Sequence, residues 1–490
     1  MESSGVGFGT SGARGLVSAM TDRVCYAYTR GFLQHIAAGP SQPREIAVAG
    51  DLRSSTGRIM EAVWRAAEDQ GYRVVHCGRI PSPAVALFGL AHQMPSIMVT
   101  GSHIPDDRNG IKFNKATGEI LKDDEIGIAG QAVEIDESLF DAAGAFRRPI
   151  AATPPESPQA AEEYVARYLE FIDSKALQPM RIGVYQHSAV GRDLLMRVLE
   201  GLGAETVALG RSETFMPVDT EAIRPEDVEL ARGWARSTRF DAIVSTDGDS
   251  DRPLVSDEWG GWLRGDVLGI LCAKQLGADV VCTPVSSNTA AERSAWFREV
   301  RRTRIGSPHV IAEMMRASAA GAACVVGYEA NGGFLLNSDL ERDGRRLRAL
   351  PTRDAFLGIL GVLLLARAMR SRISRILDLL PARFTASNRL KDFPVDRSAW
   401  ILGCFDKGSD RADGQALEEV FGELAGRVAK IDRTDGLRVT FATGEIIHLR
   451  PSGNAPEFRC YSEADTVRRA EALNAETLRI VTALAREAHG

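Results

Sequence analysis

Glu45-Ile46-Ala47-Val48-Ala49-Gly50 is an almost unbroken apolar run ending in glycine, and it reads as a buried strand. An amphipathic stretch from Gly57 to Gly71 follows as a helix. Tyr72 to Cys77 is the next strand, Ser82 to Leu90 a helix and Ser96 to Thr100 a third strand. This alternation predicts a mostly parallel sheet covered by helices. Outward from this segment the rhythm restarts twice. Arg181 to Tyr185, a helix from Gly191 to Leu202 and a strand from Asp241 to Ser245 make one pass. Val280 to Thr283, a helix from Pro308 to Ala320, strand Cys324 to Val326 and a long apolar helix from Arg353 to Met369 make the other. Pro149 to Pro158, rich in Pro and Ala, reads as a linker. After residue 372 the pattern becomes α+β, with a hairpin formed by Leu437 to Phe441 and Ile446 to Leu449. The expected fold is therefore α/β, with three similar mixed- or parallel-sheet domains over residues 1–150, 151–258 and 259–371. A smaller C-terminal α+β domain covers 372–490.

Length and composition agree with several packed domains. The 490 residues are 44% hydrophobic and 25% charged, which is globular composition and excludes a disordered chain. With 59 basic and 65 acidic residues the net charge is −6, so no globally basic nucleic-acid binder is expected. The seven cysteines are scattered without a C-x-x-C, so neither a disulfide framework nor a zinc ribbon is encoded and a reducing compartment is expected. The N-terminus lacks a basic region followed by an apolar stretch, and Phe356 to Ala366 is too short to span a bilayer. A soluble, cytoplasmic protein without membrane partners is the expectation.

Ligands in open α/β sheets gather outside the carboxyl ends of strands, and each α/β segment carries a polar loop at such a point. The first reads Thr100-Gly101-Ser102-His103-Ile104-Pro105 and continues to Asn109-Gly110-Ile111-Lys112. Ser102 could be a nucleophile or phosphate carrier with Lys112 supplying positive charge, although the same residue types also build plain tight turns. The serine-hydrolase elbow fails, because Ile104 stands where its second glycine belongs. The second loop reads Thr246-Asp247-Gly248-Asp249-Ser250-Asp251-Arg252. Three carboxylates at alternate positions repel one another unless a cation joins them, and all-oxygen ligation with room for a phosphate suits Mg²⁺. An EF-hand fails, since Arg252 occupies the position of its glycine and Pro253 to Val255 continues as a strand.

Two weaker segments complete the set. Gly327-Tyr328-Glu329-Ala330-Asn331-Gly332-Gly333 offers Glu329 and Asn331 to sugar hydroxyls, or is a Gly-rich turn. Arg450-Pro451-Ser452-Gly453-Asn454-Ala455-Pro456-Glu457-Phe458-Arg459 suits a phosphate dianion, or is an ordinary surface turn. The N-terminal Phe8 to Gly15 is also Gly-rich, and with no strand before it the P-loop and dinucleotide readings fail.

Taken in order, these segments closely resemble the α-D-phosphohexomutase superfamily, the phosphomannomutase/phosphoglucomutase enzymes. Phe8 to Gly15 matches its F-G-T-S-G-x-R-G. Thr100 to Pro105 with Asn109 to Lys112 matches T-A-S-H-N-P and N-G-I-K, with Gly101 and Ile104 substituted. Asp247 to Arg252 matches D-G-D-A-D-R, and Arg450 to Pro456 matches R-P-S-G-T-E-P with Asn454 and Ala455 substituted. The sugar loop G-E-x-S-G-H departs: Glu329 is kept, Asn331 replaces Ser and Gly333 stands in place of His. The combination looks like a phosphomannomutase branch.

The resemblance implies four domains around a central cleft and interconversion of hexose 6- and 1-phosphates, mannose foremost. A phosphoserine at Ser102 and a hexose 1,6-bisphosphate would be the intermediates. It implies Mg²⁺ held by Ser102, Asp247, Asp249 and Asp251. Arg14, His103, Lys112 and Arg252 would neutralise charge or assist proton transfer. Glu329 and Asn331 would face the sugar, and Arg450, Ser452, Gly453, Asn454 and Arg459 the distal phosphate. Glucose or glucosamine phosphates and a metal-dependent phosphatase are the rival readings, and a monomer or homodimer is expected.

Overall fold

The structure, a computed structural model, describes residues 4–9, 12–39, 44–148, 153–452 and 456–487. It divides into two compact units, Met1–Cys282 with Gly306–Leu377, and Thr283–Ile305 with Asp378–Gly490.

The first unit holds three α/β sheets built on one plan. In the first, strand Glu45–Gly50 pairs in parallel with Arg73–Arg79 on one side and Ser96–Val99 on the other. In the second, Arg181–His187 pairs in parallel with Glu205–Arg211 and Ala242–Thr246. In the third, Val280–Pro284 and Val325–Tyr328 pair in parallel. The helices expected between these strands are present within a few residues of the expected limits.

Each sheet also contains a feature absent from the sequence reading as a common theme. The strand before each polar loop is followed by a strand that returns antiparallel beside it. Arg108–Lys115 returns along Ser96–Val99, Pro253–Val255 along Ala242–Thr246, and Phe334–Leu336 along Val325–Tyr328. Asn109 to Lys112 thus belongs to a strand and is not loop, and Lys112 is carried on a rigid element. The N-terminal segment is also strand: Ala13–Leu16 pairs with Arg108–Lys115 and places Arg14 opposite Gly110. Residues 149–152 of the expected linker, and Thr10 and Ser11 of the N-terminal motif, lie outside the described residues.

Helix Ala355–Ala368 is buried almost all round, as its apolar composition requires. Its N-cap, Asp354, accepts hydrogen bonds from Leu357 N–H and from the buried hydroxyls of Tyr164 and Tyr168 at 2.7 and 2.5 Å. The helix therefore starts two residues later than expected, and Arg353 lies outside it. No helix among the described residues is long and apolar enough to cross a membrane.

The second unit contains a five-stranded antiparallel sheet in the order Phe384–Leu390, Phe458–Ala464, Ile446–Pro451, Leu437–Phe441, Val428–Asp432. Helices Asp410–Ala425 and Val467–Glu487 pack on it through Leu417, Phe421, Leu473 and Val481. Among the described residues no disulfide joins any of the seven cysteines.

Candidate active site

The loop after Ser96–Val99 is held by a residue far from it in sequence. Arg53 is buried and donates to four backbone carbonyls, those of Ser102, Ile104, Pro105 and Arg108, at 2.5–3.0 Å. Asp51 anchors Arg53 through its Nε at 3.2 Å and accepts from Thr100 Oγ1 at 2.7 Å. The aromatic ring of Phe215 lies 4.0 Å from the guanidinium carbon. This scaffold keeps Ser102 at φ 57°, a left-handed conformation that costs a non-glycine residue of order 1 kcal/mol or more. Ser250 of the acidic loop has the same φ. Two strained serines on facing loops are the backbone signature of an organised site.

The two loops touch. Ser102 Oγ donates to Asp247 Oδ2 at 2.5 Å. Ser82, at the start of helix Ser82–Ala91, donates to Asp249 Oδ2 at 2.5 Å. Gly248 permits the approach, because a Cβ there would lie 2.7 Å from the carbonyl oxygen of Ser102. Lys112 Nζ bridges Asp249 Oδ2 and Asp251 Oδ2 at 2.6 and 2.5 Å. Its partners are thus the acidic loop and not Ser102.

Carboxylate oxygens of Asp247, Asp249 and Asp251 lie within 4.8 Å of one another, all buried. Asp249 Oδ1 and Asp251 Oδ1 are buried without a hydrogen-bond donor among the described residues. Orphaned anionic oxygens are costly unless a cation reaches them, and an all-oxygen set suits a hard divalent ion. The residues present therefore fit a metal. Burial and the neighbouring charges of Asp249 and Asp251 push the Asp247 carboxyl well above the ordinary range. Burial acts the same way on Asp249 and Asp251, but Lys112 on the first and Arg353 on the second outweigh it and hold both below that range.

Positive groups close the site. Arg252 donates from Nη1 to His103 Nδ1 at 2.9 Å. Burial, with Arg252 and Arg14 nearby, lowers the His103 pKa well below the ordinary value, so the ring is neutral with Nε2 carrying the proton. Burial, Arg252 and Arg353 pull Arg14 down to about 10, and its Nε has no hydrogen-bond partner among the described residues. Such an arginine is poised for an anion.

Arg353 was missed by sequence reasoning. It is 2% exposed and donates from Nε to Asp251 Oδ2 at 3.0 Å and from Nη1 to Glu329 Oε2 at 3.3 Å. It joins the acidic loop to the Glu329 loop, reaching Asp251 from 102 positions away in sequence. Its stem also accounts for Gly333: a Cβ there would lie 2.5 Å from Arg353 Cδ. Asn331 Oδ1 accepts from Gly333 N–H at 2.9 Å, so this oxygen shapes the loop. Ser102, Arg14, His103, Lys112, the three aspartates, Arg252 and Glu329 are all brought together within the first unit.

Four successive segments match the phosphoglucomutase/phosphomannomutase domains. Residues 5–138, 162–260 and 264–384 match α/β/α domains I, II and III, and 407–480 match the C-terminal domain. The chain belongs to the phosphoglucomutase/phosphomannomutase family. A phosphomannomutase of Salmonella muenchen is 44% identical over 463 residues, 94% of this chain and 93% of that one. A phosphomannomutase of Sinorhizobium fredii is 42% identical over 476 residues, 97% and 98% of the two chains. The fold is also that of a family protein from Burkholderia thailandensis, with TM-score 0.74 at 19% identity over 97% of each chain. The four-domain architecture of the family, three α/β domains and a C-terminal α+β domain, is the architecture described above.

The second unit carries the remaining candidates. Arg450 and Arg459 face each other across adjacent strands, and Arg389 faces Arg459 from the other side. Like charges directly opposite on a sheet repel, and here the nearest acids are shared: Glu457 pairs with both Arg389 and Arg459 at 3.1 and 3.2 Å. Asp435 pairs with Arg450 at 3.4 Å. Arg389 was not singled out from sequence, because it lies some sixty residues before the motif on an exposed strand. Ser452 N–H donates to Glu457 O at 2.8 Å, closing the turn, whereas Gly453 and Asn454 lie outside the described residues.

Proposed function

We propose that the protein is a phosphomannomutase, interconverting mannose 6-phosphate and mannose 1-phosphate through a phosphoserine at Ser102 and a hexose 1,6-bisphosphate. The carrying observation is the Ser102 hydroxyl at 2.5 Å from Asp247, on a strained loop facing an acidic triad with orphaned oxygens. The mannose assignment is supported by the two phosphomannomutases at 42–44% identity.

Ser102, Asp247, Asp249 and Asp251 would hold Mg²⁺, which when bound offsets negative charge on the transferring phosphoryl group. Ser102 Oγ gives up the phosphoryl as a sugar hydroxyl oxygen takes it, and the proton of that hydroxyl leaves while Oγ regains one. Neutral His103 offers Nε2–H as a donor, and Arg14 and Arg252 offer charge-assisted bonds to phosphoryl oxygens. Lys112 and Arg353 balance the acidic loop and keep Asp249 and Asp251 ionised. Glu329, oriented by Arg353, would accept from sugar hydroxyls, with Asn331 beside it. Arg450, Ser452, Gly453, Asn454 and Arg459, with Arg389 added, would hold the phosphate that is not being transferred. The reaction is an isomerisation by phosphoryl transfer, with domains over 1–150, 151–258, 259–371 and 372–490. A cytoplasmic monomer or homodimer is part of the same reading.

The test is a mutase assay on mannose, glucose and glucosamine 1-phosphates, each with a trace of its bisphosphate. The proposal expects fastest turnover with mannose. Faster turnover of another sugar reassigns the substrate, and free phosphate without isomerised product makes the protein a phosphatase.

A further inference from the structure

The first unit carries a second concave site, remote from the Ser102 loop. An open depression of about 890 Å³ lies beside the start of strand Ala242–Thr246 and the end of helix Ala355–Ala368. Arg236, Arg239, Arg367, Arg370 and Arg372 line it, together with Trp259. Trp259 is 66% exposed, against the usual tendency of a large aromatic to be covered.

The charges are the unusual feature. In a chain of net charge −6, none of these five arginines has an ion-pairing carboxylate among the described residues. Arg236 and Arg367 sit in the last turns of their helices, where positive charge complements the helix dipole. Arg239 and Arg370 lie beyond helix ends and Arg372 stands at the N-cap of helix Ile373–Ile376, so these three have no such reason. The two carboxylates that line the depression serve other partners: Asp241 accepts from Arg181 N–H, and Glu258 accepts from the backbone N–H and hydroxyl of Ser374. Arg367 Nε is buried without a hydrogen-bond partner among the described residues, although its Nη2 donates to Gln178 O. Arg370 holds φ 50°, a left-handed conformation rare for a non-glycine residue.

We propose that this depression binds a nucleoside di- or triphosphate. The arginines supply the planar, bidentate donors that phosphates take, and the exposed indole supplies a face on which a nucleobase stacks. A concave volume of this size fits one small ligand rather than a nucleic-acid strand. The five-residue strand and the fourteen-residue helix that separate it from the Ser102 site span about 17 and 21 Å, so the two sites do not overlap. The proposal goes beyond the mutase reading and does not rest on it.

The probes are ADP, inorganic pyrophosphate and adenosine. Binding is followed by calorimetry and Trp fluorescence with saturating glucose 1,6-bisphosphate present to occupy the mutase site. ADP should bind with one site per chain, and Arg239→Glu with Arg370→Glu should weaken it by at least roughly tenfold. Trp259→Ala should weaken ADP while leaving pyrophosphate unchanged. Melting temperatures check the fold of each variant, and Arg239→Gln with Arg370→Gln replaces any that fails to fold. Absence of ADP binding at millimolar concentration, displacement by glucose 1,6-bisphosphate, or indifference to the arginine changes overturns the proposal. Pyrophosphate binding as tightly as ADP overturns the nucleoside part.

Discussion

The charges around Ser102 and those around Arg459 are arranged by opposite rules. Around Ser102 the principal charges are buried and matched: Lys112 against Asp249 and Asp251, and Arg353 against Asp251 and Glu329. In the second unit three arginines stand in a row across adjacent strands, two of them more than a third exposed, with Glu457 shared between neighbours. A region that moves a phosphoryl group needs donors fixed before the reaction, since preorganised charge costs no reorganisation in the transition state. A region that grips and releases a phosphate needs positive charge whose native partners a dianion can displace. The contrast supports the proposed division, chemistry at one cluster and anchoring at the other.

The largest expected effect comes from disturbing the matched cluster. Chelation by EDTA should abolish turnover, with Mg²⁺ restoring it better than Ca²⁺, which prefers more ligands and looser geometry. Asp249→Asn should mimic chelation. Normal turnover in EDTA would reduce the Asp247–Asp251 loop to an acidic turn held by Lys112.

Arg353→Met comes next. Removing one partner of a buried ion pair typically costs about 3–5 kcal/mol, because Asp251 and Glu329 keep charges that are no longer balanced. The expected outcome is a fall in kcat of roughly a hundredfold or more, together with a changed Mg²⁺ half-saturation. Arg353→Lys should rescue only in part, because an ammonium cannot reach both carboxylates with a planar fork. A variant with lowered melting temperature but unchanged kcat and Mg²⁺ response would leave Arg353 a purely structural link.

The exposed row should respond more weakly. Arg459→Ala loses a charge-assisted contact worth roughly 1.5–3 kcal/mol, so kcat/KM should fall about tenfold to a hundredfold. Arg389→Ala should fall less, since Arg389 lies outside the turn of the phosphate motif. Neither variant should lose its phosphoserine. Unchanged kcat/KM in Arg459→Ala would make that segment a surface turn.

The smallest effect compares the two units through their buried histidines. His187 in the first and His448 in the second each hydrogen-bond a carbonyl through Nε2, and Nδ1 of each has no hydrogen-bond partner among the described residues. Burial lowers both to about 4. The unfolded chain takes up these protons near pH 6.5 and the folded chain does not. Stability is therefore complete above that pH and declines as pH falls toward 4. At pH 5.5 each histidine should remove roughly 1 kcal/mol. Urea titrations of His187→Gln and His448→Gln across this window should each show a shallower pH slope than the parent, and an unaltered slope would contradict the assignment.

The site was legible where its chemistry is contiguous. The Thr100–Pro105, Asp247–Arg252 and Arg450–Arg459 segments concentrate Gly, Ser, Asp and Arg after recognisable strands, and such density survives in one dimension. Single residues that act across the fold were not legible. Arg53, Ser82, Arg353 and Arg389 each sit in an ordinary local context, and their partners lie on elements 49 to more than 100 residues away or on neighbouring strands. Asn109 to Lys112, part of strand Arg108–Lys115, was read as a continuation of the loop because Asn109 and Lys112 break up its apolar residues. These two and Asn114 are buried with partners inside the fold, Asn109 on Ser55 and Thr56, Lys112 on the acidic loop and Asn114 on Ser96, which reverses the usual meaning of the pattern. Gly333 looked like a weakened sugar motif, yet its position is dictated by the stem of Arg353.

The most direct test follows the phosphate on Ser102. Enzyme phosphorylated at Ser102 is mixed with mannose 1-phosphate for a single turnover, quenched, and weighed intact while the sugar products are resolved. The account predicts that the protein loses its phosphate at the rate at which mannose 1,6-bisphosphate appears, and that Ser102→Ala carries none and turns over negligibly. Loss of the phosphate to water at a rate independent of the sugar, or turnover by Ser102→Ala near the parent level, would contradict it.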